Sequence, residues 1–275
     1  MLSFMAAPFA ACLVLIGIHG YFGLHVLSRE VIFIDIALAQ IAALGTTVAF
    51  LLHINPESTA AYLFSLGFTL IAAAVYSLTR FRRQVIPQEA IIGITYAIAA
   101  AAALILTDKA AGGAEHVKDM LTGSILWVKW SELLPCALVY IGVGLLHIIF
   151  RKKFVLISQN YTNAVNKGIP IRLWDFLFYA SFGLVITHSV RMSGVLVVFA
   201  ILVIPSTLSA LFANSWAVRV TIAWIVGTIA SMIGLYCSYV FDYSSGPSVV
   251  CFLGLFLVLA ALFKSLVRRR RIVRT

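Results

Sequence analysis

The segment from Trp130 to Lys153 reads WSELLPCALVYIGVGLLHIIFRKK, an apolar run closed by three basic residues. With its flank it forms a run of 127–150 ended by Arg151-Lys152-Lys153. About 20 apolar residues in a helix match the ~30 Å hydrocarbon core of a bilayer, and a basic clump at the end of such a run marks the cytoplasmic side. The same grammar recurs at Arg80, Arg82 and Arg83, and again at Arg268 to Arg271 with Arg274. The composition agrees, because 62% of the residues are hydrophobic and only 11% are charged. A soluble domain of this length needs far more charge to cover its core. The expected fold class is therefore all-α, a polytopic transmembrane helical bundle of about eight to nine spans.

Working outward, the apolar runs fall at 5–27, 31–53, 58–79, 88–107, 127–150, 171–188, 192–213, 217–240 and 248–266. Asn55-Pro56-Glu57-Ser58 reads as a turn ending in a helix cap, and Pro87-Gln88-Glu89 suits a first helical turn. Asp108 to Met120 is polar with two glycines and reads as a loop. Gly123-Ser124-Ile125-Leu126 fits a short re-entrant segment, which leaves the span count open by one. Putting every basic clump inside gives nine crossings, with the N-terminus outside and the C-terminus cytoplasmic. Asn160-Tyr161-Thr162 matches a glycosylation acceptor, but this topology places it in the cytoplasm. No Lys or Arg precedes Arg29, so a cleavable signal peptide is not expected and the first helix is expected to stay.

The net charge of +10 raises nucleic acid as a partner. The excess sits in short juxtamembrane clumps, without a basic arm or aromatic interleaving, so the expected partner is anionic lipid and not nucleic acid. The four cysteines, Cys12, Cys136, Cys237 and Cys251, form no CxxC pair and read as reduced thiols in apolar runs. No GxxxxGK[ST], HExxH or GxSxG occurs, so neither an ATPase nor a hydrolase site is expected. Transport, channel and structural roles remain.

Polar residues within spans are costly in lipid and mark candidates. Asp35 and His53 lie in the second span, Glu132 and His147 bound the fifth, and Asp175 and His188 bound the sixth. Most sit near an interface, where an anchoring or capping role competes with a ligand role. Asp35 reads as the deepest. It either lines a pathway or pairs with Arg29 or Arg191. Small residues crowd spans two and four, among them Ala37, Ala39, Ala42, Ala43 and Gly45, then Ala97 and Ala99 to Ala103. They predict close helix packing.

Several stretches together resemble one family, the ABC-3 membrane permeases of zinc, manganese and iron ABC importers. The resemblance is carried by Val190–Pro205, by Glu89-Ala90-Ile91-Ile92-Gly93-Ile94, by Met120–Leu126 and by Ser245-Gly246-Pro247, collinear over roughly 15–265. It implies a type II ABC importer-like permease: a single transmembrane domain over 1–275, working as a homodimer. It also implies a separate ATP-binding cassette subunit, and an extracytoplasmic solute-binding protein that delivers the cargo. The family's coupling segment is matched near 156–170 by Ser158 to Ile169. Ala164 and Gly168 stand at its small positions, four apart on one helix face, and are expected to let a short helix seat in the ATPase. Gly168 also suits a plain helix end.

Three positions depart from the family pattern, the first of them at the metal. The family carries an Asp and a His four apart in span two. Aligned on Gly45, the His position holds Gln40 and the Asp position holds Ile36, with Asp35 one residue earlier. Asp35 and Gln40 lie roughly 140° apart around a helix. Asn160 replaces the coupling segment's Asp, and Ser244 replaces a proline. The expected pathway residues are Asp35, Gln40 and, at the outer mouth, His53, which five helical turns would bring to the face of Asp35. No permanently bound cofactor is expected. The expected function is ATP-driven import of a divalent transition metal across the inner membrane, zinc first, then manganese or iron. A permease for a metal chelate or cobalamin-like solute, a stand-alone secondary transporter and a membrane scaffold are the rivals.

Overall fold

The computed structural model describes residues 2–55, 58–80, 86–107 and 125–272, and the side chains within them from Met5 to Val267. The Pro56-Glu57 turn, Arg82 and Arg83, the 108–120 loop, Gly123 and Ser124, Arg274 and the side chains of Arg268 to Arg271 lie outside the described residues.

With no water in the hydrocarbon to satisfy backbone groups, an apolar run must close its hydrogen bonds internally, as a helix. The described residues form α1 (Leu2–Arg29), α2 (Ile34–Leu51), α3 (Thr59–Leu78), α4 (Gln88–Thr107), α5 (Trp130–Ile149), α6 (Arg151–Gln159), α7 (Tyr161–Asn166), α8 (Ile171–Ser193), α9 (Val195–Phe212), α10 (Trp216–Phe241) and α11 (Ser245–Ile272). A single 3₁₀ turn covers Ile125–Trp127. Nine of these helices are long and apolar enough to cross a membrane; only α6 and α7 are not. The ends follow local chemistry. Ser58 Oγ accepts from the Ala61 N–H at 3.2 Å and starts α3. The Lys129 N–H donates to Glu132 Oε2 at 3.3 Å, so Glu132 caps the start of α5. The sixth span runs past His188 to Ser193, and Gly194, at φ +79°, breaks the chain before α9.

The chain divides into two compact units. The first comprises Met1–Leu27, Thr122–Pro135 and Met192–Thr275. In it α9, α10 and α11 pack against one another. A Cβ added to Gly234 of α10 would stand 2.7 Å from Val249 Cα of α11, so that crossing needs a glycine. Trp224 Nε1 donates to the Gly17 carbonyl at 3.0 Å, tying α10 to α1.

The second unit comprises Ser28–Leu121 and Cys136–Arg191, and carries the candidate site. In it α2 packs on both α3 and α4. The small-residue reading of the second span holds at Gly45, where an added Cβ would lie 2.8 Å from Phe64 O and 2.9 Å from Ser65 Cα. Phe178, Tyr179 and Phe182 of α8 are wholly buried. Polar residues inside the spans are mostly satisfied locally. Thr47, Thr69 and Thr187 each donate to the carbonyl four residues back, at 3.0, 2.8 and 2.8 Å. His147 meets Ser181 Oγ at 2.9 Å and stacks on Phe154, with centroids 4.1 Å apart. It is a core histidine.

Candidate functional site: a buried carboxylate and a capped short helix

The candidate residues fall in three places of the second unit. The first is the start of α2. Asp35 is the second residue of that helix, so it lies in the first turn and not deep along the span as its apolar neighbours suggested. Its burial is lateral: 1% of its surface is exposed, and among the described residues no side chain hydrogen-bonds its carboxylate, which has only the backbone N–H groups of Asp35 and Ile36 close by. The helix N-terminus favours negative charge there. Glu89, in the first turn of α4, is near enough to Asp35 to interact with it electrostatically, and its Oε1 accepts from the Phe33 N–H at 2.9 Å. Phe33, Ile36, Gly93 and Tyr96 line an apolar cavity of about 300 Å³ at the same end of α2 and α4. A carboxylate in such a place needs a countercharge, water or a passing cation.

The expected pairing of Asp35 with Arg29 or Arg191 is not made. Arg29 is engaged by Asp175 and Ser158, and Arg191 lies over the Tyr62 ring at 5.6 Å. Gln40 is half-buried, further along α2. His53 does not join this face. The helix ends at Leu51, and His53 is exposed with φ +60°, so the five-turn register stops before reaching it. Among the described residues no three His, Cys, Asp or Glu side chains come together to hold a metal ion.

The second place is the segment around α7. A six-residue helix has too few internal hydrogen bonds to stand alone, and both its ends are capped. Asn160 Oδ1 accepts from the Asn163 N–H at 2.9 Å, so this amide caps the start of α7. At the other end the Gly168 N–H reaches Val165 O at 2.9 Å and the Ile169 N–H reaches Ala164 O at 3.2 Å, with Gly168 at φ +70°. This is the Schellman cap, and its left-handed position selects glycine. The two small residues therefore have different placements from those the spacing suggested. Ala164 is 0% exposed and faces its own protein, and Gly168 is exposed and serves the backbone. The exposed residues of the segment include Thr162, Asn166, Lys167 and Gly168.

The third place was missed by the sequence reading, which took Asp175 for a span anchor. Asp175 is fully buried at the start of α8. Its Oδ1 accepts from Arg29 Nη1 at 2.7 Å. Arg80 Nη1 reaches Oδ1 at 2.9 Å and Oδ2 at 3.0 Å. Arg29 Nε also donates to Ser158 Oγ at 2.8 Å, and its guanidinium lies 3.9 Å from the Phe178 ring centroid. Arg80 lies 4.8 Å from the ring centroid of Tyr161. Burial alone would lower the pKa of the Arg80 guanidinium; the Asp175 carboxylate together with Tyr179 and Tyr161 outweighs it, and the net shift is upward. A cleft of about 410 Å³ opens beside the cluster, lined by Arg29, Arg80, Gln88, Ser158 and Tyr161 among others. One signal was available: alternating spans put the end of α1, the end of α3 and the start of α8 on one side of the membrane, so two arginines and one aspartate share that side.

Comparison with known proteins gives these features a setting. The manganese import system permease protein ScaB of Streptococcus gordonii is 25% identical over 235 residues, covering 84% of this chain and 81% of that protein. The chelated iron transport system membrane protein YfeD of Yersinia pestis is 24% identical over 178 residues, 65% of this chain and 60% of its own length. Among solved structures, PsaBC from Streptococcus pneumoniae in complex with Fab superposes with a TM-score of 0.77 at 23% identity, covering 94% of this chain and 90% of that one, so the fold is shared. Residues 1–264 match the ABC 3 transport family. The chain belongs to the ABC 3 transport family, as a multi-pass membrane transport subunit without an ATPase site of its own.

Proposed function

We propose that this chain is the cargo-conducting permease of an ATP-driven importer for a divalent metal. The match of residues 1–264 to one transport family carries the reading. In the working assembly the chain forms a single permease domain that pairs with a second copy in the inner membrane. A separate ATP-binding cassette subunit docks on the cytoplasmic segment near 156–170, and an extracytoplasmic solute-binding protein delivers the cargo. The N-terminus is outside and the C-terminus inside, because the basic ends of the spans prefer the cytoplasm.

For the cargo, manganese or ferrous iron stands ahead of zinc. Asp35 and Gln40, with Glu89 close to Asp35, offer oxygen donors, and oxygen suits manganese where imidazole suits zinc. The relatives named for manganese and for chelated iron support the same order. The absence of a three-ligand cluster among the described residues favours, as a second reading, a metal carried in a chelate. Uptake of labelled manganese, iron and zinc, free and chelated, separates the readings in cells that have only this importer. Manganese or iron accumulation that depends on the chain supports the proposal. Accumulation of zinc alone overturns the order, and accumulation of chelate alone selects the second reading.

A further inference from the structure

The geometry points to Asp175 as the positioning residue that ties the coupling segment to the membrane helices, so that movement of α7 becomes movement of α1, α3 and α8. The inference rests on the proposed docking of an ATPase at 156–170. That docking says nothing about how a displacement of so small a helix reaches the spans. Covalently, α7 connects only to α6 and, through its capped end, to α8. Beside the packing of Phe154 on His147 and Phe178, two side-chain contacts reach the arginines at the ends of other spans. Ser158, in the last turn of α6, accepts from Arg29 at the end of α1, and Tyr161, the first residue of α7, lies under Arg80 just beyond α3.

Those two arginines do not act separately. Both close on the one carboxylate of Asp175, Arg29 at 2.7 Å and Arg80 at 2.9 Å, with side-chain exposures of 0%, 7% and 0% for Arg29, Arg80 and Asp175. Two buried cations sharing one anion cannot easily lose it, because breaking a buried pair leaves an uncompensated charge. When Ser158 or Tyr161 moves, the lower-cost response is for the arginines and Asp175 to move as a group, carrying three helix ends with them. The cleft of about 410 Å³ beside the group leaves room for that displacement.

The test uses the assembled importer in proteoliposomes and reads the metal transported per ATP hydrolysed. In the double variant Ser158→Ala/Tyr161→Leu the ion pairs of Asp175 stay intact while the contacts that link α6 and α7 to the two arginines are cut. The expected ratio falls about tenfold, the factor that corresponds to about 1.4 kcal/mol. Asp175→Asn lowers the same ratio, and Asp175→Glu, which keeps the charge, recovers most of it. A purely structural role would instead lower transport and ATPase activity together, in proportion to the assembled complex, and leave their ratio unchanged. That outcome for the double variant overturns the inference even if Asp175→Asn fails to assemble. If the unaltered chain neither binds an ATP-binding subunit nor stimulates it, the docking reading fails instead, and the two failures are told apart.

Discussion

Replacing Gly45 with alanine isolates the packing that holds α2 against α3. The added methyl would stand 2.8 Å from Phe64 O and 2.9 Å from Ser65 Cα. Comfortable carbon contacts begin at about 3.5 Å, so the two backbones must part by roughly 0.6 Å. Overpacking of this kind costs about 1–3 kcal/mol. Alanine also favours a helix over glycine by about 1 kcal/mol, which would mask part of the cost. Gly67 supplies the control: it lies in α3, and nothing stands within 4 Å of a Cβ added there. Gly67→Ala gains the helix term without the clash. The common gain cancels between the two variants, so Gly45→Ala is expected to be less stable than Gly67→Ala by about 1–3 kcal/mol. Reversible denaturant unfolding in mixed micelles measures the difference. Equal stabilities within about 0.5 kcal/mol would refute the close crossing.

Three other outcomes follow from the site. Gly168→Asn should keep the cap of α7 because asparagine tolerates the left-handed region, whereas Gly168→Ala should lose about 1 kcal/mol, read by amide exchange at Val165 to Ile169. Asp35→Asn should abolish metal uptake without loss of assembled protein, and Gln40→His should shift preference toward zinc; normal uptake by Asp35→Asn would remove Asp35 from the pathway. With Cys237 and Cys251 replaced by serine, a cysteine at exposed Lys167 should resist an impermeant reagent added outside intact cells, and one at exposed His53 should react; the reverse pattern inverts the topology.

The spans were legible because lipid imposes one requirement on length and polarity, and a run such as that of α5 announces it. Caps were legible for the same local reason: Ser58 and Gly168 need only neighbours within a few residues. Lateral position was not legible. Hydropathy shows that Asp35 is surrounded by apolar residues in sequence, yet it occupies a first turn and is buried sideways beside α4. Extrapolating the α2 register to His53 failed because the helix stops at Leu51. Ala164 was read for its size, whereas its direction is set by packing across the chain. Asp175 was hardest to see, since its partners lie 146 and 95 residues away and only the folded bundle brings them to one carboxylate.

In the proposed importer this chain conducts metal only when a separate ATPase drives it. Purified chain is reconstituted in liposomes with an ATP-binding cassette subunit and a solute-binding protein from the same cells, and manganese accumulation is followed with ATP on the cytoplasmic side. Accumulation against the gradient is expected to need ATP, both partner proteins and this chain together, and to stop when any one is left out. Accumulation by the chain alone, driven by an ion gradient and indifferent to ATP, would contradict the proposal.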